Sequence, residues 1–460
     1  MAMKAYESYK DTEYDWLPRI PTHWTRHSVR EITSVSSERN ENAFSRNDLL
    51  SVYREYGVIK KFSRDDNHNV ESLDLSKYKT VHKNYLVINK MKMWQGSLGI
   101  SKYDGIVSPA YIVCKLNLAN VNYQFIHALL RAATFKTFYN RISYGVRVGQ
   151  WDASYEDLKP LNLYLPPKKE QDQIVRYLDW QNSRLNKLIN AKKKEIALLE
   201  EQKQALISQA VTKGLDPHAP LKDSGIDWIG QIPEHWEKSR LKECTIFLPS
   251  FAHNNISLDT VVTFTPMECI KSGHFVPGTA KLADMKQYTY YGEGDVVIAK
   301  VSPCFENGNI AIMRGLSSGI GFGSSELFVY RPIHINTDFL FFWLQNHNFK
   351  QKAQSTMTGT GGLKRVSASF MKDSPIYIPP IDEQKYISNY LYNRCVLIDN
   401  LIVNINKTIS LLQEYRTRLV ADVVTGQIDV RNIAIPNYET VTETIDQPET
   451  NEDENNTTEK

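Results

Sequence analysis

Three sets of side chains in this 460-residue chain have the types and spacing to read a polar surface. Arg141, Tyr144, Arg147, Gln150 and Trp151 fall in one stretch, RISYGVRVGQW (141–151). Lys90, Lys92, Trp94 and Gln95 form a second in KMKMWQ (90–95), and Lys300, Ser302, Asn307, Lys364 and Arg365 make a looser third. Side chains of Arg, Lys, Gln, Asn and Ser hydrogen-bond base edges in the major groove, while others hold phosphates. These residues are the candidate DNA-binding set.

Catalytic groups do not assemble in the same way. GIGFGS (319–324) and TGTGG (358–362) look like nucleotide loops, but neither has the full G-x-G-x-x-G with its strand and helix, and no G-x-x-x-x-G-K-[ST] occurs. LPPKKE and IPPIDE are not the polar-Pro-Pro-aromatic loop of adenine methyltransferases. The eleven histidines include no H-E-x-x-H. Cys114, Cys244, Cys269, Cys304 and Cys395 are odd in number with no C-x-x-C pair, which argues against a disulfide framework or zinc site and fits a reducing compartment. Spacing alone reveals no Ser/His/Asp set. No catalytic site and no metal are expected.

The elements that must carry the loops are written twice. LYLPPKKEQDQIVRYLDW… (163–216) and IYIPPIDEQKYISNYLYN… (376–429) align without a gap at an offset of 213 residues. Upstream, KDTEYDWLPRIPTHW (10–24) matches KDSGIDWIGQIPEHW (222–236) at an offset of 212. A chain made of two copies of one unit tends to do one kind of job at two places.

Both long copies read as helices. Leu178, Leu185, Ile189, Ile196, Leu199, Leu206 and Ala210 recur at steps of 7, 4, 7, 3, 7 and 4, and Leu391, Ile398, Ile402, Ile409, Leu412, Leu419 and Val423 repeat the same steps. Proline pairs precede both, Glu170 or Glu383 falls in the first turn where it complements the dipole, and Gly214 or Gly426 marks the end. A helix of about 45 residues is roughly 65–70 Å long and one apolar stripe does not stabilise it alone. The two stripes are therefore expected to bury each other as an antiparallel coiled coil. By the same repeat, residues 10–31 are expected to pack just past the second helix and close the chain into a pseudo-circle. Trp16, Trp24, Trp228 and Trp236 are expected to anchor the junctions.

The intervening segments share a skeleton. Lys83–Met91 resembles Glu293–Val301, Gly105–Val113 resembles Gly321–Val329, and an apolar helical stretch follows each, Tyr123–Leu130 and Phe339–Leu344. Both read as one mixed α/β domain with different loops, which gives an α+β chain of two domains joined by two long helices. The expected boundaries are 1–165, 166–214 for the central helix, 215–378, 379–428 for the C-terminal helix, and 429–460 for an acidic, disordered tail. From Pro436 onward that tail carries eight acids against one lysine, so without its −7 the rest of this +3 chain stands at +10, a modest pull toward nucleic acid. The N-terminus lacks a signal-peptide core and the longest apolar run, Phe339–Leu344, is too short to span a bilayer, so the cytoplasm is the expected compartment.

DWIGQIPEHW, the two PP-x-x-EQ helix starts, and LLSVYREYGVI…NKMKMWQGSLGIS…GIVSPAYIV together resemble the DNA-specificity subunit of type I restriction-modification enzymes, from about residue 9 to 430. The resemblance implies two target-recognition domains, each reading half of a split, asymmetric duplex site. It implies helices that set the gap between half-sites and dock two methyltransferase subunits, which carry S-adenosylmethionine and methylate adenine. Restriction subunits using ATP and magnesium then join, and the specificity subunit itself binds no cofactor and does no catalysis. Half-sites one turn apart lie roughly 34–36 Å apart, within the reach of such helices. The first Trp motif departs from the second in having Glu13 and Pro18 for Gly225 and Gly230, and SPA (108–110) stands where the second domain has SSE (324–326). The competing readings are a free-standing methyltransferase or nuclease, and a coiled-coil scaffold with no DNA role.

Overall fold

The computed structural model describes residues 4–443 apart from 42, 64–71, 73, 119, 146–150, 253–255 and 360–362. The chain divides into two compact units: unit 1 is Met1–Lys193 with Asn406–Lys460, and unit 2 is Lys194–Ile405.

Unit 1 is centred on a sheet of β1 (Thr33–Val35), β2 (Leu86–Asn89), β3 (Leu98–Ile100) and β4 (Tyr111–Leu116) in the order β1-β4-β2-β3, with every neighbour antiparallel. Alternation sorts its side chains to two faces. Leu86, Ile88, Leu98 and Cys114 join the core containing α1 (Tyr123–Arg131), while Val87 and Val113 join a smaller cluster with Leu50, Val52 and Val58. The helix α2 (Lys168–Lys213) adds Ile174, Tyr177 and Leu178 to the main core.

Unit 2 repeats the plan. Strands β5 (Thr245–Phe247), β6 (Val296–Ala299), β7 (Ile310–Ile312) and β8 (Leu327–Pro332) form an antiparallel sheet in the order β5-β8-β6-β7. Val296, Ile298, Phe328 and Tyr330 pack with Phe339, Leu340 and Trp343 of α3 (Thr337–Trp343), and α4 (Ile381–Val424) contributes Ile387 and Leu391 to the same core. The units part company on the other face. Unit 2 carries a second four-stranded sheet in which Val261–Thr265 runs parallel to Ile320–Gly323. At the equivalent place unit 1 pairs Gly105–Val107 with Lys79–Val81. The residues of GIGFGS are thereby spent on structure: Ile320–Gly323 is a strand buried at every position, not a phosphate-binding loop.

The repeated motifs reappear as one junction built twice. In unit 1 the indole N–H of the buried Trp24 donates to Glu170 Oε1 at 3.0 Å, and His23 Nε2 lies 2.7 Å from Oε2. In unit 2 Trp236 donates to Glu383 Oε1 at 3.1 Å and His235 Nε2 lies 2.8 Å from Oε2. The neighbouring glutamine does a second task. Gln171 Oε1 accepts from Asn122 N–H at 2.8 Å, and Gln384 Oε1 accepts from Asn336 N–H at 2.7 Å. Asn122 and Asn336 are in turn the N-caps of α1 and α3. The Glu-Gln pair at each long-helix start therefore ties the Trp motif and the domain helix to one point. Trp16 stacks on Tyr14 and touches Phe135, and Trp228 packs on Trp343 and Phe349.

The long helices have 46 and 44 residues. None of the stripe residues is exposed: Leu178, Leu185, Ile189, Ala210, Leu391, Ile398, Ile409, Leu419 and Val423 are buried, and Ile196, Leu199, Leu206, Ile402 and Leu412 are half-buried. In unit 1 Leu178 shares a core with Leu419 and Val423, and Arg416 donates to Asn186 Oδ1 at 3.0 Å. In unit 2 Ala210 shares a core with Leu391, and Lys203 pairs with Asp399 at 2.7 Å. Gly214 and Gly426 take positive φ of 71° and 72° just beyond the helices, the left-handed exit that glycine allows. Past α4, Gln427 Nε2 donates to the Arg19 carbonyl at 3.1 Å and Asp429 N–H to that of Lys4 at 2.7 Å, so the N-terminal segment lies against the end of α4. By length and composition α4 could cross a membrane, with an 18-residue window of mean hydropathy 1.4, although no single apolar run does so.

The start of the tail makes contacts of its own. Residues 429–443 are not loose: Ile433 and Ile435 pack on the unit 1 core, and Gln173 donates to the carbonyls of Val430 and Ile433 at 3.1 and 2.8 Å. An extended segment that spends isolated apolar residues and main-chain carbonyls on a helix needs no periodic pattern, which is why none shows in its sequence. The tail acids Asp446, Glu449, Glu452, Asp453, Glu454 and Glu459 lie outside the described residues.

A candidate nucleic-acid interface

In unit 1 the two candidate clusters form one patch. Lys90, Lys92, Trp94 and Gln95 lie on the short helix Lys90–Gln95, which packs against the helix Lys136–Arg141 and against Asp152–Ala153, the strand paired with Ser143–Tyr144. The rings of Trp94 and Trp151 meet edge to face at 5.2 Å. Lys92, Arg141 and Tyr144 are exposed, while Gln95 and Trp151 are half-buried. Lys90 is engaged with Asp152 at 2.9 Å, and Tyr144 Oη donates to Asp157 Oδ2 at 3.1 Å, a bond that holds the phenol above its usual range. Arg147 and Gln150 lie outside the described residues. The patch thus shows two outward cations, Lys92 and Arg141, beside the paired indoles of Trp94 and Trp151.

In unit 2 the candidates also converge, with different roles. Ser302 is buried: its N–H donates to the Lys364 carbonyl at 2.8 Å and its hydroxyl accepts from Lys364 N–H at 3.0 Å. It binds two loops together and does not face outward as a base reader would. Arg365 donates from Nε and Nη2 to Glu326 at 2.9 and 3.0 Å, and Lys300 stands 3.8 Å from the same carboxylate. The Arg365 hydrogen bond, opposed by burial, holds Glu326 below the usual carboxylate range. Lys364 and Asn307 are exposed. Asp152 and Glu326, the acids that engage three of the candidates, were not visible as partners in the sequence because each is brought in from a distant strand or loop.

A third surface was missed altogether. The side of α4 away from its buried stripe carries Tyr386, Tyr392, Leu397, Leu401 and Val403, each more than half exposed. Among the described residues no group of three or more His, Cys, Asp or Glu could hold a metal ion.

The family described as "Type I restriction modification DNA specificity domain" matches twice, over residues 21–198 and 233–410. The Type I restriction enzyme EcoEI specificity subunit of Escherichia coli is 31% identical over 206 residues, 44% of this chain and 34% of that protein, so the match spans about a third of its length. The Type I restriction enzyme MjaVIII specificity subunit of Methanocaldococcus jannaschii is 24% identical over 399 residues, covering 84% of this chain and 86% of that one. A solved chain described as "Structural basis underlying complex assembly and conformational transition of the type I R-M system" matches with a TM-score of 0.63 at 16% identity, over 89% of this chain and 99% of that one.

Proposed function

Because this chain belongs to the type I restriction modification DNA specificity family, we propose that it is the DNA-reading subunit of a type I restriction-modification complex. Each unit reads one half of a bipartite, asymmetric duplex site. The observation that carries this is the contrast between what repeats and what does not. The Glu170 and Glu383 junctions share their Trp and His partners on matching carboxylate oxygens, whereas the outward surfaces offer Lys92 and Arg141 in one unit and Asn307 and Lys364 in the other. One frame presenting two different arrays of donors is what two different half-sites require.

The matched contacts at both junctions, and the pairing of early α2 with late α4 and late α2 with early α4, support two antiparallel helices in a pseudo-two-fold, pseudo-circular chain. The exposed apolar side of α4 suits a protein partner. We assign the helices to docking two methyltransferase subunits, which supply S-adenosylmethionine, with restriction subunits supplying ATP and magnesium chemistry. The chain itself contributes recognition and no catalytic group, and it works in the cytoplasm, where its DNA is.

The unit 1 patch can be tested in the assembled methyltransferase complex. Lys92→Ala combined with Arg141→Ala is expected to weaken duplex binding about ten-fold and to lower the log–log salt slope by about two, one per lost phosphate contact. Unchanged affinity and slope across a salt titration would remove this patch from the interface.

A further inference from the structure

Among the described residues the same helix face is covered in unit 1 and bare in unit 2. In unit 1 the tail lies along α2. Besides the Gln173 contacts, Val441 N–H donates to Ser183 Oγ at 3.4 Å. Asn186 Nδ2 donates to the Val441 carbonyl at 2.8 Å, and Asn190 Nδ2 to that of Thr442 at 2.9 Å. Glu443 closes the segment, accepting from Arg416 at 2.7 Å and Gln413 at 3.0 Å, with Lys193 at 3.8 Å. The 213-residue repeat gives each position on α2 a counterpart on α4. Gln173, Ser183 and Asn190 correspond to Tyr386, Val396 and Val403, which are 66%, 40% and 63% exposed. Asn186 corresponds to Asp399, and Arg416 to Lys203, and these two pair with each other. In unit 2 the cation that would hold a tail acid is thus satisfied from within the helix pair, and two of the three amides that would hold a tail backbone, Gln173 and Asn190, are replaced by Tyr386 and Val403.

We propose that residues 430–443 are a displaceable mask over the α2 face, so that of two register-equivalent faces only the one on α4 is open to an apolar partner polypeptide. The segment is anchored at its start, where Val430, Ile433 and Ile435 join the unit 1 core, and is held lightly beyond it: from 436 to 443 it has no strand pairing, most of its side chains are exposed, and its grip is side-chain amides on carbonyls plus one ion cluster at Glu443. A partner reaching the α2 face must first displace it, and its apparent affinity falls by the fraction of time the face is uncovered. On the reading above, which this inference rests on, the methyltransferase subunit is that partner, and its two copies bind with unequal affinity.

The test titrates the full chain with the methyltransferase subunit and counts bound copies by native mass spectrometry. Wild type is expected to show a tight first and a weaker second binding. Glu443→Lys sets a cation against Arg416 and Lys193 and is expected to strengthen the second step about five-fold, leaving the first unchanged. Tyr392→Asp with Val403→Asp alters exposed positions only and is expected to abolish the tight step while sparing the weak one. Two equal steps, unaffected by Glu443→Lys, would overturn the mask while leaving the specificity-subunit reading intact. Failure of the subunit to bind wild type at all would overturn both.

Discussion

Glu170→Ala is expected to destabilise unit 1 by about 3 kcal/mol, and Glu383→Ala to destabilise unit 2 by about half as much. The two carboxylates occupy matched positions, but their surroundings differ. Glu170 is only 7% exposed and accepts from both Trp24 Nε1 and Tyr6 Oη, the latter at 2.7 Å, with His23 on its other oxygen. Burial, and then the bond to Glu170, push the Tyr6 phenol well above its usual range, which favours the protonated, donating form. Alanine would leave two buried donors without an acceptor, each costing about 1–3 kcal/mol. Glu383 is 28% exposed and holds Trp236 and a partly open His235, so water can replace more of what it gives. Hydrogen exchange during urea unfolding separates the two units, which a single global transition would not. Equal losses in the two variants would contradict this burial argument.

Gly321→Ala is expected to cost unit 2 about 3 kcal/mol or more and to leave unit 1 untouched. A Cβ at Gly321 would overlap the ring of Tyr291. That ring cannot step aside cheaply: it is fully buried, and its hydroxyl donates to Thr265 Oγ1 at 2.7 Å and toward the Phe322 carbonyl at 3.2 Å. Overpacking a closed core commonly costs about 1–3 kcal/mol, and here a buried hydroxyl pair is lost as well. Gly105, which the sequence aligns with Gly321, is tight for a different reason, since a Cβ there would overlap the Asp48 carbonyl oxygen. Gly105→Ala should therefore damage unit 1 alone. Thermal or urea unfolding of the pair of variants, followed unit by unit, checks both; a silent Gly321→Ala would mean that the second sheet of unit 2 is not packed as described.

The features legible in the sequence are those with a period or a copy. The stripes from Leu178 to Ala210 and from Leu391 to Val423 gave away both long helices, because a helix that buries one side must repeat its apolar residues on that side. The paired glutamates, glutamines and tryptophans were visible as repeats, although their bonding to one another was not, since Trp24 and Glu170 lie 146 positions apart. Features without a period stayed hidden. The strap from Val430 to Glu443 uses an extended backbone and scattered contacts. The inward turn of Ser302 depends on a loop, 364–366, that comes from elsewhere in the chain. The pairing of Lys90 with Asp152, and of Arg365 with Glu326, joins residues that nothing local connects. Surface readers can be nominated by type, but which cations stay unengaged is decided by the fold.

The central claim is that two unlike readers on one repeated frame specify a split site. Mapping methylated adenines across the genome of cells that express this chain with the proposed methyltransferase partner tests it most directly. The expected result is one recognition motif in two unlike parts, separated by a fixed gap of unspecified bases, with methylated adenine in each part. An active methyltransferase that marks a continuous or palindromic motif, or marks the same sites without this chain, would contradict the account.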